Sequence, residues 1–502
     1  MTSSTLQAFK DHALKIRDLS SIAGLLQWDQ EVMMPTGGFQ VRSRQLAELT
    51  GQIHDLQTST SWEDAAAQLA EDPDITEKDR ANARMVLRDI QQAKKLPKPW
   101  VIALNTTISR TFEAWIKGRE NGETKVYLEA LRDLVRMKQE EAAYLGFVQH
   151  PYDALLDPYE PGLTTQKVTS VLGALVEGLK LPGFSNATDG KAAQAIPGPI
   201  AASIQKKFGR ALLEHMGYDF SKGRMDVAPH PFCIGLHAGD VRVTHQCHED
   251  QPDDLVWGLL HEGGHALYEL GLPEEEAGLP AGSARSLVVH ESQSRLWENH
   301  IGKSQAFWKG VHQEAWLKET GYPLPPVADM MPQLHRMQPN LIRIQADEYT
   351  YHFHIWIRFQ IEKQLIEGSL AIQDVEACWN DLYEQWLGLR PPQARQGFMQ
   401  DIHWAHGSFG YFPTYSLGSM MAAQLFESVA STLHLESLDQ LEASHLSQVK
   451  AWLHAHIYQH GGLYSSDQLC QMATGKVLEA DALLRHLKRS FQSHNPTTNE
   501  TK

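Results

Sequence analysis

The segment Asp253–Leu270, DDLVWGLLHEGGHALYEL, contains residues whose types and spacing suit catalysis by a metal ion. His261 and His265 are four residues apart, so on a helix both imidazoles face the same side and can bind one ion. Glu262, next to the first histidine, can reach a water molecule at that ion without binding the ion itself. The pattern is typical of metal-assisted hydrolysis, in which Zn²⁺ acidifies the water and the glutamate takes its proton.

The surroundings of this motif strengthen its interpretation. In a chain of 502 residues with 25 histidines, roughly 0.1 matches to the five-residue motif are expected by chance. Asp253 and Asp254 suit the start of a helix and Gly271 suits its end. Gly263 and Gly264 each cost a helix about 1 kcal/mol relative to alanine, so we expect them to leave room for the metal or the substrate. The alternative is a pair of ordinary helical histidines.

A catalytic zinc site needs a third protein ligand on a neighbouring element. The segment Ser283–His300, SARSLVVHESQSRLWENH, is the best candidate because it also has helical periodicity. Glu291 and Glu298 lie seven residues apart and therefore on one helix face. Either carboxylate can coordinate the ion, and periodicity does not choose between them. The alternative for each is a solvated helix carboxylate.

Most of the remaining chain has the pattern of helices. Apolar residues recur at three- and four-residue spacings among good helix formers. The segment Leu181–Ile200 is rich in Gly, Pro, Ala and Ser and is expected to be a loop. We expect helices over Ala8–Leu26, Asp64–Lys95, Thr124–Tyr144 and Thr165–Lys180.

One short region, His230–Cys247, predicts a β-hairpin, because two β-prone runs flank the sequence His-Ala-Gly-Asp. An edge strand of such a hairpin can pair with an extended peptide. Its last residues also suggest a second metal site, with an ordinary packed strand as the alternative. The residues concerned are His245, Cys247 and His248.

Composition excludes several classes of partner. The formal net charge of −16 argues against a general nucleic-acid binder or a protein that binds anionic membranes, since either needs a basic surface. No run of about 18 apolar residues occurs, and no secretory signal is evident at the start. Four scattered cysteines suit a reducing compartment. We therefore expect a soluble cytoplasmic protein.

Two of these segments, HEGGHALYELGL and HESQSRLWEN, resemble the carboxypeptidase Taq family of zinc metallocarboxypeptidases. Other short motifs of that family occur in the same order, and the resemblance extends from about residue 20 to about residue 480. Several ordered motifs are far more specific than one metal motif. The further matches are Trp28–Glu31 (WDQE), His230–Phe232 (HPF), Asp240–Thr244 (DVRVT), Ile342–Asp347 (IRIQAD), Gly397–Trp404 (GFMQDIHW) and Gly410–Tyr415 (GYFPTY).

The resemblance implies a complete metal site. The ligands would be His261, His265 and, from the HES motif, Glu291 rather than Glu298. Glu262 would be the general base. Zn²⁺ is the expected ion for two imidazoles and a carboxylate, although Co²⁺ fits the same ligands.

The resemblance also implies the architecture. The fold class would be mainly α, a single large gluzincin-like helical fold with a deep central groove and a small β-sheet beside the metal site. Residues 1–502 would form one catalytic domain, with residues 1–130 as an approximate helical lid. Members of the family are usually homodimers.

The IRIQAD and GFMQDIHW motifs would close one end of the groove. Arg343 is expected to bind the terminal carboxylate of the substrate, because its planar guanidinium matches a carboxylate. An ordinary helix ion pair with Asp347, four residues on, is the alternative. His403 is assigned a neighbouring role in substrate binding. Tyr411 or Tyr415 is expected to stabilise the oxyanion. Tyr411 is the first choice, with Tyr415 binding substrate, and core packing is the alternative for both rings.

The predicted function is hydrolysis of the last peptide bond of peptides, releasing single amino acids with broad specificity. Two alternatives remain at this point. The first is an HExxH oligoendopeptidase, which shares the metal chemistry but has a groove open at both ends. The second is a non-enzymatic helical binding protein with a structural metal.

Overall fold

A computed structural model describes residues 2–179, 195–435 and 440–494. The loop expected over Leu181–Ile200 lies largely outside these ranges, and only its last six residues are described. None of the described helices is long and apolar enough to cross a membrane.

The structure is mostly helical, as predicted. The first half contains the helices α1 (Thr2–Val32), α2 (Phe39–Gln57), α3 (Thr60–Ala70), α4 (Glu77–Lys94), α5 (Lys98–Asn121), α6 (Thr124–Leu145), α7 (Asp153–Leu156), α8 (Thr165–Leu179) and α9 (Ala202–Met216). Three strands follow, namely β1 (Gly223–Val227), β2 (Cys233–His237) and β3 (Asp240–His245). The remaining helices are α10 (Asp253–Leu270), α11 (Leu287–Arg295), α12 (Gln305–Gln313), α13 (Ala315–Thr320), α14 (Val327–Leu334), α15 (Tyr351–Glu367), α16 (Val375–Leu387), α17 (Pro413–Thr432), α18 (Leu446–His456), α19 (Ser466–Thr474) and α20 (Asp481–His494).

The chain folds into two compact units. The first comprises the described residues within Met1–Lys94, Gln194–Met330 and Gln424–Val477, and the second those within Lys95–Ala193, Met331–Ala423 and Leu478–Lys502. The expectation of one catalytic domain over 1–502, with a lid over 1–130, stays a prediction.

One helix prediction is wrong. The continuous helix predicted over Asp64–Lys95 is two helices, α3 and α4, separated by the turn that contains Pro73. A proline disfavours helical geometry at the residue before it and cannot donate the backbone hydrogen bond that a helix interior needs. Thr76 then begins α4, because its Oγ1 accepts the backbone N–H of Asp79 at 3.1 Å. Apolar periodicity alone did not reveal the interruption.

The hairpin prediction is confirmed, since β2 and β3 pair antiparallel. A third strand, β1, pairs in parallel with β3 and gives the order β1-β3-β2. The sequence of β1, GRMDV, is short and largely polar, and it gave no strand signal. The helix α10 follows the sheet and packs against β2 and β3, which places the sheet beside the histidine motif.

The outer edge of β2 is in contact with α1. The hydroxyl of Ser21 donates to the carbonyl oxygen of Leu236 at 2.6 Å, and Arg17 donates to that of Gly235 at 3.4 Å. Two carbonyl groups of the strand expected to pair with a peptide are therefore satisfied by side chains of the first helix.

The core of the second unit is built around α15, whose residues are nearly all buried. A helix that is buried on all sides must satisfy any charged side chain it carries inside the protein. Arg358 and Glu362 are both 0% exposed on this helix. Their partners are the polar groups described below.

Candidate active site

The three predicted metal ligands lie together. The helix α10 places His261 and His265 one turn apart, and α11 brings Glu291 against them. One ligand atom from each of the three residues lies within 4.8 Å of the others, and the described residues contain no other such group. Oε2 of Glu291 is 3.7 Å from Nε2 of His261 and 3.6 Å from Nε2 of His265. Two imidazole nitrogens and a carboxylate oxygen fit a zinc site with one open position.

The two glycines of the motif serve helix packing. A Cβ atom at Gly264 would lie 2.6 Å from the carbonyl oxygen of Gln293 and 2.7 Å from Cα of Ser294, both on α11. A Cβ atom at Gly263 would lie 2.7 Å from Met216 on α9. The expectation that these residues leave room for the metal or the substrate is therefore wrong. Gly264 allows α11, and with it Glu291, to approach α10 closely, and Gly263 allows the same for α9.

We expect Gly264→Ala to lower the free energy of unfolding by about 1–3 kcal/mol, because overpacking against backbone atoms cannot be relieved by a rotamer change. Urea unfolding followed by circular dichroism measures the effect. Gly51→Ala is the matched control, since Gly51 lies inside α2 with open space around it. That change should raise stability slightly. Equal stability of the two variants would contradict the packing role.

Hydrogen bonds orient both imidazoles. Nδ1 of His261 is 2.8 Å from Oε2 of Glu298, and Nδ1 of His265 is 2.9 Å from the backbone oxygen of His290. An Nδ1–H that donates in this way leaves the lone pair on Nε2, the nitrogen that faces Glu291. Both rings therefore present the atom that binds a metal.

The choice between Glu291 and Glu298 follows from the helix geometry. After α11 the chain forms a π-helix over Leu296–Ile301, and Glu298 lies on this segment. Its carboxylate reaches the far nitrogen of His261 and is not among the clustered ligand atoms. Glu298 therefore contacts the candidate ligand His261, while Glu291 lies among the three candidate ligands.

Arg295 contacts both carboxylates. Its Nε donates to Oε1 of Glu291 at 2.6 Å, and its Nη1 donates to Oε2 of Glu298 at 3.2 Å. Glu291 consequently has one oxygen bound to arginine and the other directed at the histidines. Burial raises the pKa of Glu298, but Arg295 and His261 outweigh this effect and lower it to about 2. Glu298 is therefore a carboxylate at neutral pH.

We expect Glu298→Gln to weaken metal binding by about 10- to 100-fold, because partners of metal-bound histidines are typically worth this much. Competition with a chelator of known affinity measures the effect. Glu275→Gln is a suitable control, since Glu275 is an exposed carboxylate of the same unit. Unchanged affinity in the Glu298 variant would contradict the supporting role.

The electrostatics of the site favour a cation. Burial lowers the pKa of His261, but the charge of Glu291 and the hydrogen bond with Glu298 outweigh burial and raise it to about 9. The pKa of His265 is held well below its usual value, chiefly by burial. The negative potential that favours a proton on His261 also favours a divalent ion between the ligand atoms.

Glu262 lies beside the ligands without joining them. Its side chain is on α10, the residue is 8% exposed, and its carboxylate accepts no hydrogen bond from the described residues. Burial raises its pKa to about 7, against the effect of His261. A carboxylate with a raised pKa is a better proton acceptor near neutral pH, and this one keeps its lone pairs for a water molecule.

In the second unit, Arg343 pairs with Asp401. Its Nε and Nη2 are each 2.8 Å from Oδ1 of Asp401, and its Nη1 donates to the hydroxyl of Tyr351 at 3.1 Å. The alternative pairing with Asp347 is wrong. That carboxylate instead accepts backbone N–H groups, including that of Thr350 at 2.9 Å. Residues 343–345 form a short 3₁₀ turn and not the α-helix that an i,i+4 pair requires.

Asp401 lies between two guanidinium groups. Its Oδ2 is 2.7 Å from Nε and 2.6 Å from Nη2 of Arg358. Burial alone would raise the pKa of Asp401, but Arg343 and Arg358 hold it far below its usual range. Two positive charges and one negative charge give this cluster a net charge of +1.

The other predicted substrate-binding residues surround Arg343. Nε2 of His403 is 3.1 Å from the hydroxyl of Tyr415, and the Tyr415 ring lies 5.1 Å from the Arg343 guanidinium. The Tyr411 ring lies 5.4 Å from the His403 ring. Burial and the neighbouring arginines lower the pKa of His403 to about 3, so this imidazole is neutral. The four residues form one aromatic and cationic cluster.

The suggested second metal site is absent from the described residues, because its three members have different partners. Nδ1 of His245 contacts the backbone oxygen of Gln246, and Nδ1 of His248 contacts Asp254. Sγ of Cys247 lies 3.7 Å from Gln205.

Comparisons with known proteins agree with this arrangement. The profile of the carboxypeptidase Taq (M32) metallopeptidase family matches residues 8–491. Thermostable carboxypeptidase 1 of Thermus thermophilus is 34% identical over 94% of this chain and 95% of its own length. Carboxypeptidase 1 of Bacillus subtilis is 30% identical over 97% of both chains. The crystal structure of the M32 carboxypeptidase from Deinococcus radiodurans is 29% identical, with a TM-score of 0.90 over 98% of this chain and 99% of that chain.

The chain therefore belongs to the carboxypeptidase Taq (M32) metallopeptidase family. Membership makes it a metallocarboxypeptidase, a peptide hydrolase, and excludes the interpretation as a non-enzymatic binding protein.

Proposed function

We propose that this metallocarboxypeptidase is zinc-dependent, acts in the cytoplasm, and releases single amino acids from peptide C-termini with broad side-chain specificity. The observation that supports the metal chemistry most directly is the grouping of His261, His265 and Glu291 within 4.8 Å. Homodimer formation is part of the proposal and rests on the resemblance to the family. The lid role of residues 1–130 has the same basis.

Zn²⁺ suits the donor set because two imidazoles and one carboxylate are borderline ligands, and Co²⁺ suits it nearly as well. His261, His265 and Glu291 would hold the ion. When bound, the metal would supply Lewis-acid activation of water and of the scissile carbonyl.

The protein's own residues then perform the proton transfers. Glu262 accepts the proton of the attacking water and returns it to the nitrogen of the departing amino acid. Its raised pKa and its lack of hydrogen-bond partners among the described residues suit both steps. Tyr411 is proposed to donate its hydroxyl hydrogen to the oxyanion.

Arg343 is proposed to bind the terminal carboxylate. Of its five N–H groups, three face Asp401 and Tyr351, and the other two have no acceptor among the described residues. His403 and Tyr415 would line the same site, and the net charge of +1 suits an anion. Neutral His403 can still donate a hydrogen bond.

A peptide with a free C-terminus and the same peptide with a C-terminal amide test this function. The carboxypeptidase should shorten the free acid one residue at a time, lose most activity on the amide, and stop on both when a chelator removes the metal. Internal cleavage of the amide at an undiminished rate would instead identify an oligoendopeptidase.

A further inference from the structure

Arg358 lies deep in the core of the second unit, where its Nη2 forms an ion pair with Asp401 and makes no aligned hydrogen bond. It is 0% exposed on α15. Besides Asp401, it donates from Nη1 to the backbone oxygen of His354 at 2.8 Å and to the hydroxyl of Tyr383 at 3.3 Å. Its guanidinium lies 4.5 Å from the Trp379 ring. A side chain held in this way acts on a ligand only through its neighbours.

The neighbour that matters is Asp401. Each of its carboxylate oxygens faces a different guanidinium, Oδ1 that of Arg343 and Oδ2 that of Arg358. With only one arginine, the carboxylate would cancel the charge of that arginine. With two, one positive charge is left in a buried site, where screening by solvent is weak.

Other ionisable groups nearby do not alter this charge balance. Burial lowers the pKa of His403 and of His354, so both imidazoles are neutral. Burial raises the pKa of Tyr383, so its hydroxyl stays protonated. Burial raises the pKa of Glu362, one turn along α15 from Arg358, to about 7. Its carboxyl group accepts hydrogen bonds from Tyr152, Trp404 and the backbone of Gly410, and among the described residues it forms no ion pair with Arg343 or Arg358.

We propose that Arg358 is a positioning residue whose positive charge engages Asp401, so that Arg343 keeps a net positive charge for the terminal carboxylate of the substrate. The inference rests on the proposed role of Arg343 in binding that carboxylate. Asp401 fixes the orientation of Arg343. Arg358 balances the negative charge of Asp401, so that this charge does not cancel the positive charge of Arg343.

The charge count gives a sharp test with four forms of the full-length, metal-loaded enzyme. The cluster carries +1 in the wild type, 0 in Arg358→Gln, +1 in Arg358→Gln/Asp401→Asn, and +2 in Asp401→Asn. The probes are N-acetyl-leucine and N-acetyl-leucinamide, compared as competitive inhibitors. They differ only in the terminal charge.

We expect Arg358→Gln to weaken inhibition by the acid at least about tenfold, a modest value for the loss of one unit charge near a buried anion, and to leave inhibition by the amide nearly unchanged. The double variant should recover most of the lost affinity for the acid. Asp401→Asn should bind the acid at least as tightly as the wild type does, because the asparagine Oδ1 can still accept the hydrogen bond that orients Arg343. Arg390→Gln is the control, because Arg390 forms an exposed ion pair with Glu384, and neither inhibitor should be affected.

A purely structural role predicts the opposite pattern. Equal losses for acid and amide in Arg358→Gln, or a double variant weaker than the single one, would overturn the proposal. If Arg358→Gln does not fold, Asp401→Asn decides alone, since weakened acid binding there overturns the charge argument. A failure of the proposed carboxylate site is recognised separately, because Arg343→Met would then leave the preference for the acid intact.

Discussion

Replacing Glu262 by glutamine is expected to lower kcat for peptide hydrolysis by about 10²- to 10⁴-fold, the usual contribution of a general base. The amide of glutamine is nearly the same size as the carboxylate, but it cannot accept the proton of the attacking water. Because Glu262 is not among the clustered ligand atoms, the bound metal should be retained. Steady-state kinetics together with metal analysis of the purified variant measure both quantities.

Glu275→Gln provides the comparison for this variant. It makes the same chemical change at an exposed carboxylate of the same unit, and we expect wild-type kinetics. Peptide turnover by the Glu262 variant at the full rate would refute the proposed proton transfer. Loss of the metal from that variant would instead assign Glu262 to coordination.

Replacing Arg343 by methionine is expected to reduce kcat/KM for free-acid peptides by about 10²-fold or more, since a charge-assisted hydrogen-bond pair with a carboxylate is worth several kcal/mol when buried. Methionine has a similar length and no charge. Arg343→Lys should recover only part of the loss, because an ammonium group lacks the planar fork of the guanidinium. Kinetics with free-acid peptides and their amides measure the selectivity.

The comparison with amides separates recognition from stability. If Arg343→Met merely loosened the fold, its activity on both substrate types would fall together. The thermal midpoint of each variant, measured alongside, identifies that outcome. An unchanged preference for free acids would show that the terminal carboxylate binds elsewhere.

The clustering of the candidate metal ligands was predictable in part, because the relative position of two of them depends only on local helix geometry. The spacing of His261 and His265 on one helix is set by α-helical geometry, and such geometry needs no tertiary knowledge. The choice between Glu291 and Glu298 was not local, since both lie on one face of an ideal helix. The resemblance to the family favoured Glu291, and in the structure Glu291 lies among the clustered ligand atoms while Glu298 lies on the π-helix, which periodicity does not detect.

The cluster around Arg343 was predictable only in part. Motif resemblance indicated Arg343 and His403 as substrate-binding residues. Because they lie far apart in the sequence, it gave no information on which side chains they contact. Asp401 stood inside a recognised motif without a role, and Arg358 belonged to no recognised motif. The role of a buried arginine can be inferred only when its charged partner is known, and the partner of Arg358, Asp401, lies 43 residues further along the chain.

The helices were predicted where apolar spacing was regular and uninterrupted, as in α6 and α8. The division between α3 and α4 was missed because a single proline ends a helix even where the apolar residues keep helical spacing. Strand β1 was missed because its few residues gain their stability from pairing with β3 rather than from their own side chains.

The π-helix over Leu296–Ile301 has a consequence for how this site tolerates changes in chain length. A π-turn accommodates one residue more than an α-turn does. Deleting one residue within the segment would let an ordinary α-helix form and would keep the residues that follow close to their present orientation. Inserting one residue would instead rotate everything that follows by about 100° relative to α11. The segment should therefore tolerate a single-residue deletion better than a single-residue insertion.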